Sequence, residues 1–302
     1  MKEIIRYIID YTRGLNSRIF TACSLLMAVM IYLNFHYGFD HKVEIATMPV
    51  SFFYRYIIFL VAFGLPYFFY VVQGKNYFKD RLIFLLILLS PAIFTWKMVM
   101  GTQFHLSDNY LWDYYWNQVI YWPMRLIVIA FILFIIWRLF YKEETFFGLT
   151  VKNFVWKPYL LMLLIMVPLV AAASTQPDFL NMYPKLREVD SVLYAVKNKW
   201  FYHLLYEFSY GSDFIIVELF FRGFLILAFI KVAGKDAILP MACFYCTIHF
   251  GKPLGECISS YFGGIILGIV VYNTRSIVGG LMVHLGIAWL MEAGGYIGSM
   301  LK

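Results

Sequence analysis

The chain has 302 residues, of which 62% are hydrophobic, 21% aromatic and only 14% charged. A water-soluble domain carries roughly a quarter charged residues, and several apolar runs here reach about 20 residues, the length that crosses a bilayer. These figures exclude a soluble globular enzyme and imply an all-α, polytopic membrane protein. The formal net charge of +7 is what inward-facing membrane loops supply and calls for no nucleic-acid partner.

In chain order, residues 1–18 carry Lys2, Arg6, Arg13 and Arg18 with Ile4, Ile5, Ile8 and Ile9 near one helical face. They read as a short helix lying on the membrane surface, or equally as a frayed basic tail, with no cleavable signal pattern. Nine candidate spans follow: 19–36, 51–73, 82–101, 118–141, 155–174, 202–231, 237–250, 257–272 and 276–298. The stretch 237–250 is short enough to be tilted or re-entrant, so eight or nine crossings are expected. Residues 19–200 form a bulky, aromatic scaffold of about five spans. Residues 201–302 gather intramembrane polar residues and glycines, including the Gly264/Gly268 pair that lets helix backbones approach in lipid.

Basic loops set orientation. The N-terminus, residues 75–81, 138–157 and 231–235 are rich in Lys and Arg, whereas 102–117 has neither. The expected location is a bacterial inner membrane with a cytoplasmic N-terminus. Arg55, Lys97 and Arg125 fall near predicted span ends and are expected to snorkel to headgroups.

Chemistry concentrates in the last third. An ionisable residue near the bilayer centre costs about 2.5–3.5 kcal/mol on insertion scales and marks a functional candidate. Glu218 and Arg222, in VELFFRG, lie one turn apart on a helix; such a pair also serves simply to lock helices together. Asp213 stands one turn before Val217, His249 ends CFYCTIHFG, and His284 lies in GGLMVHLGIAW. A carboxylate and two imidazoles suit activation of a water or a Zn²⁺ site made by Glu218, His249 and His284. Cys243-x-x-Cys246-x-x-His249 offers soft ligands on one helical face, though cysteines in membrane helices are commonly packing residues.

Glu218-x-x-x-Arg222-Gly223, then Tyr245-x-x-x-His249, then His284 on a Gly-rich last helix resemble, in order and spacing, the CPBP family of intramembrane proteases. That family includes the type II CAAX prenyl endopeptidases and bacteriocin-processing or abortive-infection-like homologues. The resemblance covers about residues 205–296 and implies a membrane endopeptidase acting on a membrane-associated peptide or protein. The family pattern is Glu-Glu-x-x-x-Arg, Phe-x-x-x-His and His-x-x-x-Asn or Asp. It implies that the first Glu and first His activate water, while the second His and the Asn hold the site or stabilise the oxyanion. Here the first Glu position is Val217, the Phe is Tyr245 and the Asn is Ala288. The catalytic set implied is Glu218, His249, His284 and Arg222, with Asp213 as substitute carboxylate; Glu256 and Glu292 are further acids that helical spacing brings towards the histidines. Three outcomes stay open: a hydrolase with a rearranged acid, a catalytically inactive homologue acting as a membrane binding, immunity or scaffold protein, and a transporter. No internal repeat of the kind common in transporters is present.

Overall fold

The computed structural model describes residues 2–101, 103–152, 154–194 and 196–301. Among these residues the regular elements are all helical. They are α1 (Lys2–Arg13), α2 (Ser17–Tyr37), α3 (Phe39–Glu44), α4 (Met48–Val72), α5 (Arg81–Val99), α6 (Tyr110–Phe140), α7 (Lys157–Ala173), α8 (Pro177–Met182), α9 (Arg187–Leu193), α10 (Lys199–Val217), α11 (Ile230–Ala233), α12 (Ile238–Thr247), α13 (Leu254–Thr274) and α14 (Val278–Met300). A π-helical segment, Glu218–Ala228, continues α10 directly. By length and composition α2, α4, α5, α6, α13 and α14 are able to cross a membrane. The chain is a polytopic helix bundle.

Three expected spans take other forms. The 155–174 stretch is the 17-residue α7, an apolar helix shorter than those six. The 202–231 stretch is α10 running on into the π segment. The 237–250 stretch is only the ten-residue α12, about 15 Å of helix against roughly 30 Å of hydrocarbon. Its last apolar residues lie in a turn instead.

The chain divides into two compact units. The first comprises Met1–Val99, Tyr141–Thr150 and Phe220–Ile277. Its centre is aromatic. Phe94 of α5 meets Phe220 and Phe221 at 4.9 Å between ring centroids, Phe244 of α12 meets Phe221 at 5.1 Å, and Phe59 of α4 meets Phe244 at 5.0 Å. In lipid, where tails are as apolar as side chains, such tilted ring contacts and close packing carry helix association. Gly264 and Gly268 of α13 seat α12: a Cβ at Gly264 would lie 3.1 Å from the Tyr245 ring, and one at Gly268 2.8 Å from Met241. Outside the spans, Tyr77 donates to Asp236 at 2.6 Å, and burial together with that bond pushes its phenol above the ordinary value. The connection before α7 presses on the π segment, where a Cβ at Gly223 would stand 2.5 Å from the Phe147 carbonyl oxygen. Phe147 itself adopts φ 41°, a left-handed conformation uncommon for a bulky side chain.

The cations expected to snorkel are taken up internally. Arg55 pairs with Asp40 at 3.0 Å, and buried Lys97 lies over the Phe94 ring.

The second unit comprises Met100–Phe140, Val151–Leu219 and Val278–Lys302. Here α6 and α10 are joined by Tyr115 donating to the Tyr202 carbonyl at 2.8 Å, by Ser209 donating to the Val119 carbonyl, and by Trp122 set edge-on to Tyr206. Helices α7 and α14 run parallel: Gly279 faces Tyr159, Gly286 faces Leu163 and Gly294 faces Val170. Near the end of α14, a Cβ at Gly295 would lie 2.5 Å from the backbone carbon of Tyr183.

That contact is with backbone and has no rotamer to escape into, whereas Gly263 has nothing within 4 Å of its would-be Cβ. Gly295→Ala is expected to destabilise the purified protein by about 1–3 kcal/mol, the usual cost of overpacking. Gly263→Ala is expected to leave the thermal midpoint in detergent unchanged or slightly raised. A melting series on the two variants checks this.

Candidate active site

The second unit brings Glu218 and His284 together. Glu218 is fully buried at the end of α10 and the start of the π segment. One of its carboxylate oxygens lies 2.9 Å from Nδ1 of His284, near the start of α14. A carboxylate oxygen accepts hydrogen bonds, so Nδ1 of His284 is the donor in this pair. The ring is fixed on a second side by Phe214, whose edge meets it at 4.9 Å and 76°. Phe214 stands four residues before Glu218 and so shares its helix face.

The carboxylate reaches this position because α14 carries no side chain opposite it. A Cβ at Gly280 would stand 2.6 Å from the second oxygen of Glu218. Gly280 precedes His284 by four residues, so the same face of α14 supplies both the opening and the imidazole. Val217 and Ala288, at positions where the related pattern has an acid and an amide, are both buried.

Arg222, His249 and Tyr245 lie in the first unit. The fully buried guanidinium of Arg222 stacks on the Tyr245 ring at 3.7 Å. His249, in the turn after α12, also leans on Tyr245, with ring centroids 4.7 Å apart, and its Nδ1 lies 3.0 Å from the Tyr245 carbonyl oxygen. A backbone carbonyl can only accept, so Nδ1 of this imidazole too is the donor. The aromatic residue of the second motif is thus a platform for a cation and an imidazole at once, which spacing alone did not suggest.

The remaining acids have other surroundings. Asp213 is half-buried on α10 within electrostatic reach of Arg125. Arg125, buried on α6, stacks on Tyr121 at 3.6 Å and donates to the Met100 carbonyl at 2.8 Å. Glu292 accepts from the backbone amides of Lys185 and Leu186 at 2.9 and 3.2 Å, so it acts as a clamp on the segment leading into α9. Glu256 is half-exposed at the start of α13. Cys243, Cys246 and Cys257 are wholly buried, and the Cys246 thiol donates to the Cys257 carbonyl at 3.3 Å.

A zinc centre takes three or four protein ligands. Glu218 and His284 together offer one carboxylate and one imidazole. Among the described residues no group of three or more His, Cys, Asp or Glu side chains gathers to hold an ion.

Gly280→Ala is expected to displace the Glu218 carboxylate and so release Nδ1 of His284. In ¹⁵N spectra of histidine-labelled protein, the His284 signals should move from a single Nδ1–H form to a mixture of tautomers, while those of exposed His105 stay in place.

No curated protein and no solved structure matches the chain. Residues 198–290 match the family model described as type II CAAX prenyl endopeptidase Rce1-like. The matched stretch takes in α10, the π segment, α12, α13 and half of α14, and with them Asp213, Glu218, Arg222, His249 and His284. Over residues 198–290, therefore, the chain is similar to the type II CAAX prenyl endopeptidase Rce1-like family.

Proposed function

We propose that this protein is an endopeptidase that hydrolyses a peptide bond within or beside the membrane, with His284 as general base and Glu218 as its orienting carboxylate. The observation that carries this is the 2.9 Å bond between His284 Nδ1 and the buried Glu218. A base must be neutral, fixed in one tautomer and backed by a group that stabilises the imidazolium it becomes. Nε2 takes a proton from water as the water oxygen attacks the scissile carbonyl carbon. The same nitrogen returns that proton to the departing amine as the C–N bond breaks. Glu218 stays ionised throughout and holds the charged ring.

In this reading Val217 has removed the acid that the family pattern places first, and the carboxylate function falls to Glu218. The resemblance gives His249 a part in water activation and Arg222 a part in holding the site, with Asp213 as an alternative carboxylate. The substrate class is a membrane-associated peptide or protein, approached from lipid. The basic loops favour a bacterial inner membrane with a cytoplasmic N-terminus.

A second reading has its own support. Val217 and Ala288 make two positions of the related reaction centre apolar, and both are buried. A homologue that binds a membrane peptide without cutting it fits that pair of changes.

Reconstituted protein presented with lipid-embedded fluorogenic peptides, prenylated and unprenylated, separates the two. Cleavage is expected in the wild type, and His284→Ala is expected to lower it by about 10²–10⁴-fold, the usual contribution of a general base. Glu218→Gln should lower kcat with little change in KM, and EDTA should leave the rate unaltered. Peptide binding without cleavage would establish the non-catalytic reading instead.

A further inference from the structure

His249 sits in the turn joining α12 to α13, and within the first unit that turn is held by a polar relay remote in sequence. Asn34, 4% exposed near the end of α2, donates from its amide nitrogen to the Phe250 carbonyl at 2.9 Å. Its amide oxygen accepts from the backbone N–H of Asp40, in the first turn of α3, at 2.9 Å. The Asp40 carboxylate accepts from Arg55 of α4 at 3.0 Å. On the same side a Cβ at Gly251 would stand 2.5 Å from the other Asp40 oxygen. The Asn34 amide nitrogen therefore ties down Phe250, its oxygen holds Asp40, Arg55 holds the Asp40 carboxylate, and that carboxylate lies close against Gly251, directly after His249 and Phe250.

The chemistry of the turn makes such fixing necessary. The last carbonyls of a helix have no donors within it. At the end of α12 one of them, on Tyr245, accepts from the His249 side chain at 3.0 Å. That bond survives only while the following residues hold their course. A buried amide left unpaired costs more than the net value of the bond it makes, so Asn34 pins Phe250 more firmly than an exposed contact would.

We propose that Asn34, Asp40 and Arg55 are positioning residues for His249. They keep its ring over Tyr245 with Nδ1–H on the Tyr245 carbonyl, so that Nε2 is the nitrogen offered for chemistry. Their importance to catalysis rests on the hydrolytic reading above; their action on the imidazole does not.

The test uses full-length protein in detergent, modified with diethyl pyrocarbonate and read residue by residue by mass spectrometry. Exposed His105 serves as internal reference. In Asn34→Leu and Asp40→Asn the modification rate of His249 relative to His105 should rise roughly three- to tenfold, the equilibrium factor of one net hydrogen bond. Gly251→Ala, which pushes on Asp40 from the opposite side, should do the same and serves if Asn34→Leu fails to fold. A merely structural role would lower the melting temperature without moving this ratio. Folded Asp40→Asn and Gly251→Ala variants with wild-type ratios would overturn the relay. Where peptide cleavage is measurable, the same variants should lose kcat with KM retained. If the wild type cleaves nothing, the hydrolytic reading falls while the ratio still decides the relay.

Discussion

A carboxylate with no exposed surface, hydrogen-bonded to an imidazole, is the constraint around which the second unit is arranged. Removing an ion from water costs several kcal/mol even after relaxation, and removing one partner of such a pair leaves the other stranded. Glu218 is tolerated because α14 brings His284 to it and because Gly280 leaves room for the carboxylate against the helix backbone. Phe214 then closes the ring from the side. The glycines that let α14 lie against α7 are thus part of the same arrangement: they fix the height and rotation of the helix from which His284 projects.

The first unit solves a parallel problem by different means. Its imidazole is held by a backbone carbonyl, and the aromatic ring beneath it also supports a fully buried guanidinium. Gly264 allows α13 to approach closely enough to seat that ring. In each imidazole Nδ1 is the donor, to a carboxylate oxygen in one and to a peptide carbonyl in the other. The group that orients each ring differs, and the nitrogen engaged is the same.

Much of the architecture was legible in the sequence because lipid imposes a simple rule: apolar runs of sufficient length become helices. Glu218, Arg222, His249 and His284 stood out for the same reason, as polar residues where polarity is expensive. The partnerships did not stand out. Spacing suggested Arg222 for Glu218; it gave no sign of the hydrogen bond with His284, a residue 66 positions later. The π register after α10 was invisible, since a segment buried almost throughout has no solvent-facing stripe from which a period can be read. Asn34 was missed because a single amide in an aromatic span signals nothing until the carbonyl it meets, 216 residues away, is known. The 237–250 stretch read as a span because hydropathy counts the residues of a turn and of a helix alike.

The shortness of α12 bears on how it sits in a bilayer. Ten residues make about half the length that hydrocarbon requires of a spanning helix. Taken alone, this piece is too short to rest across a bilayer, and its packing against Gly264 and Gly268 of α13 makes the pair of helices, rather than α12 by itself, the smallest unit suited to that setting.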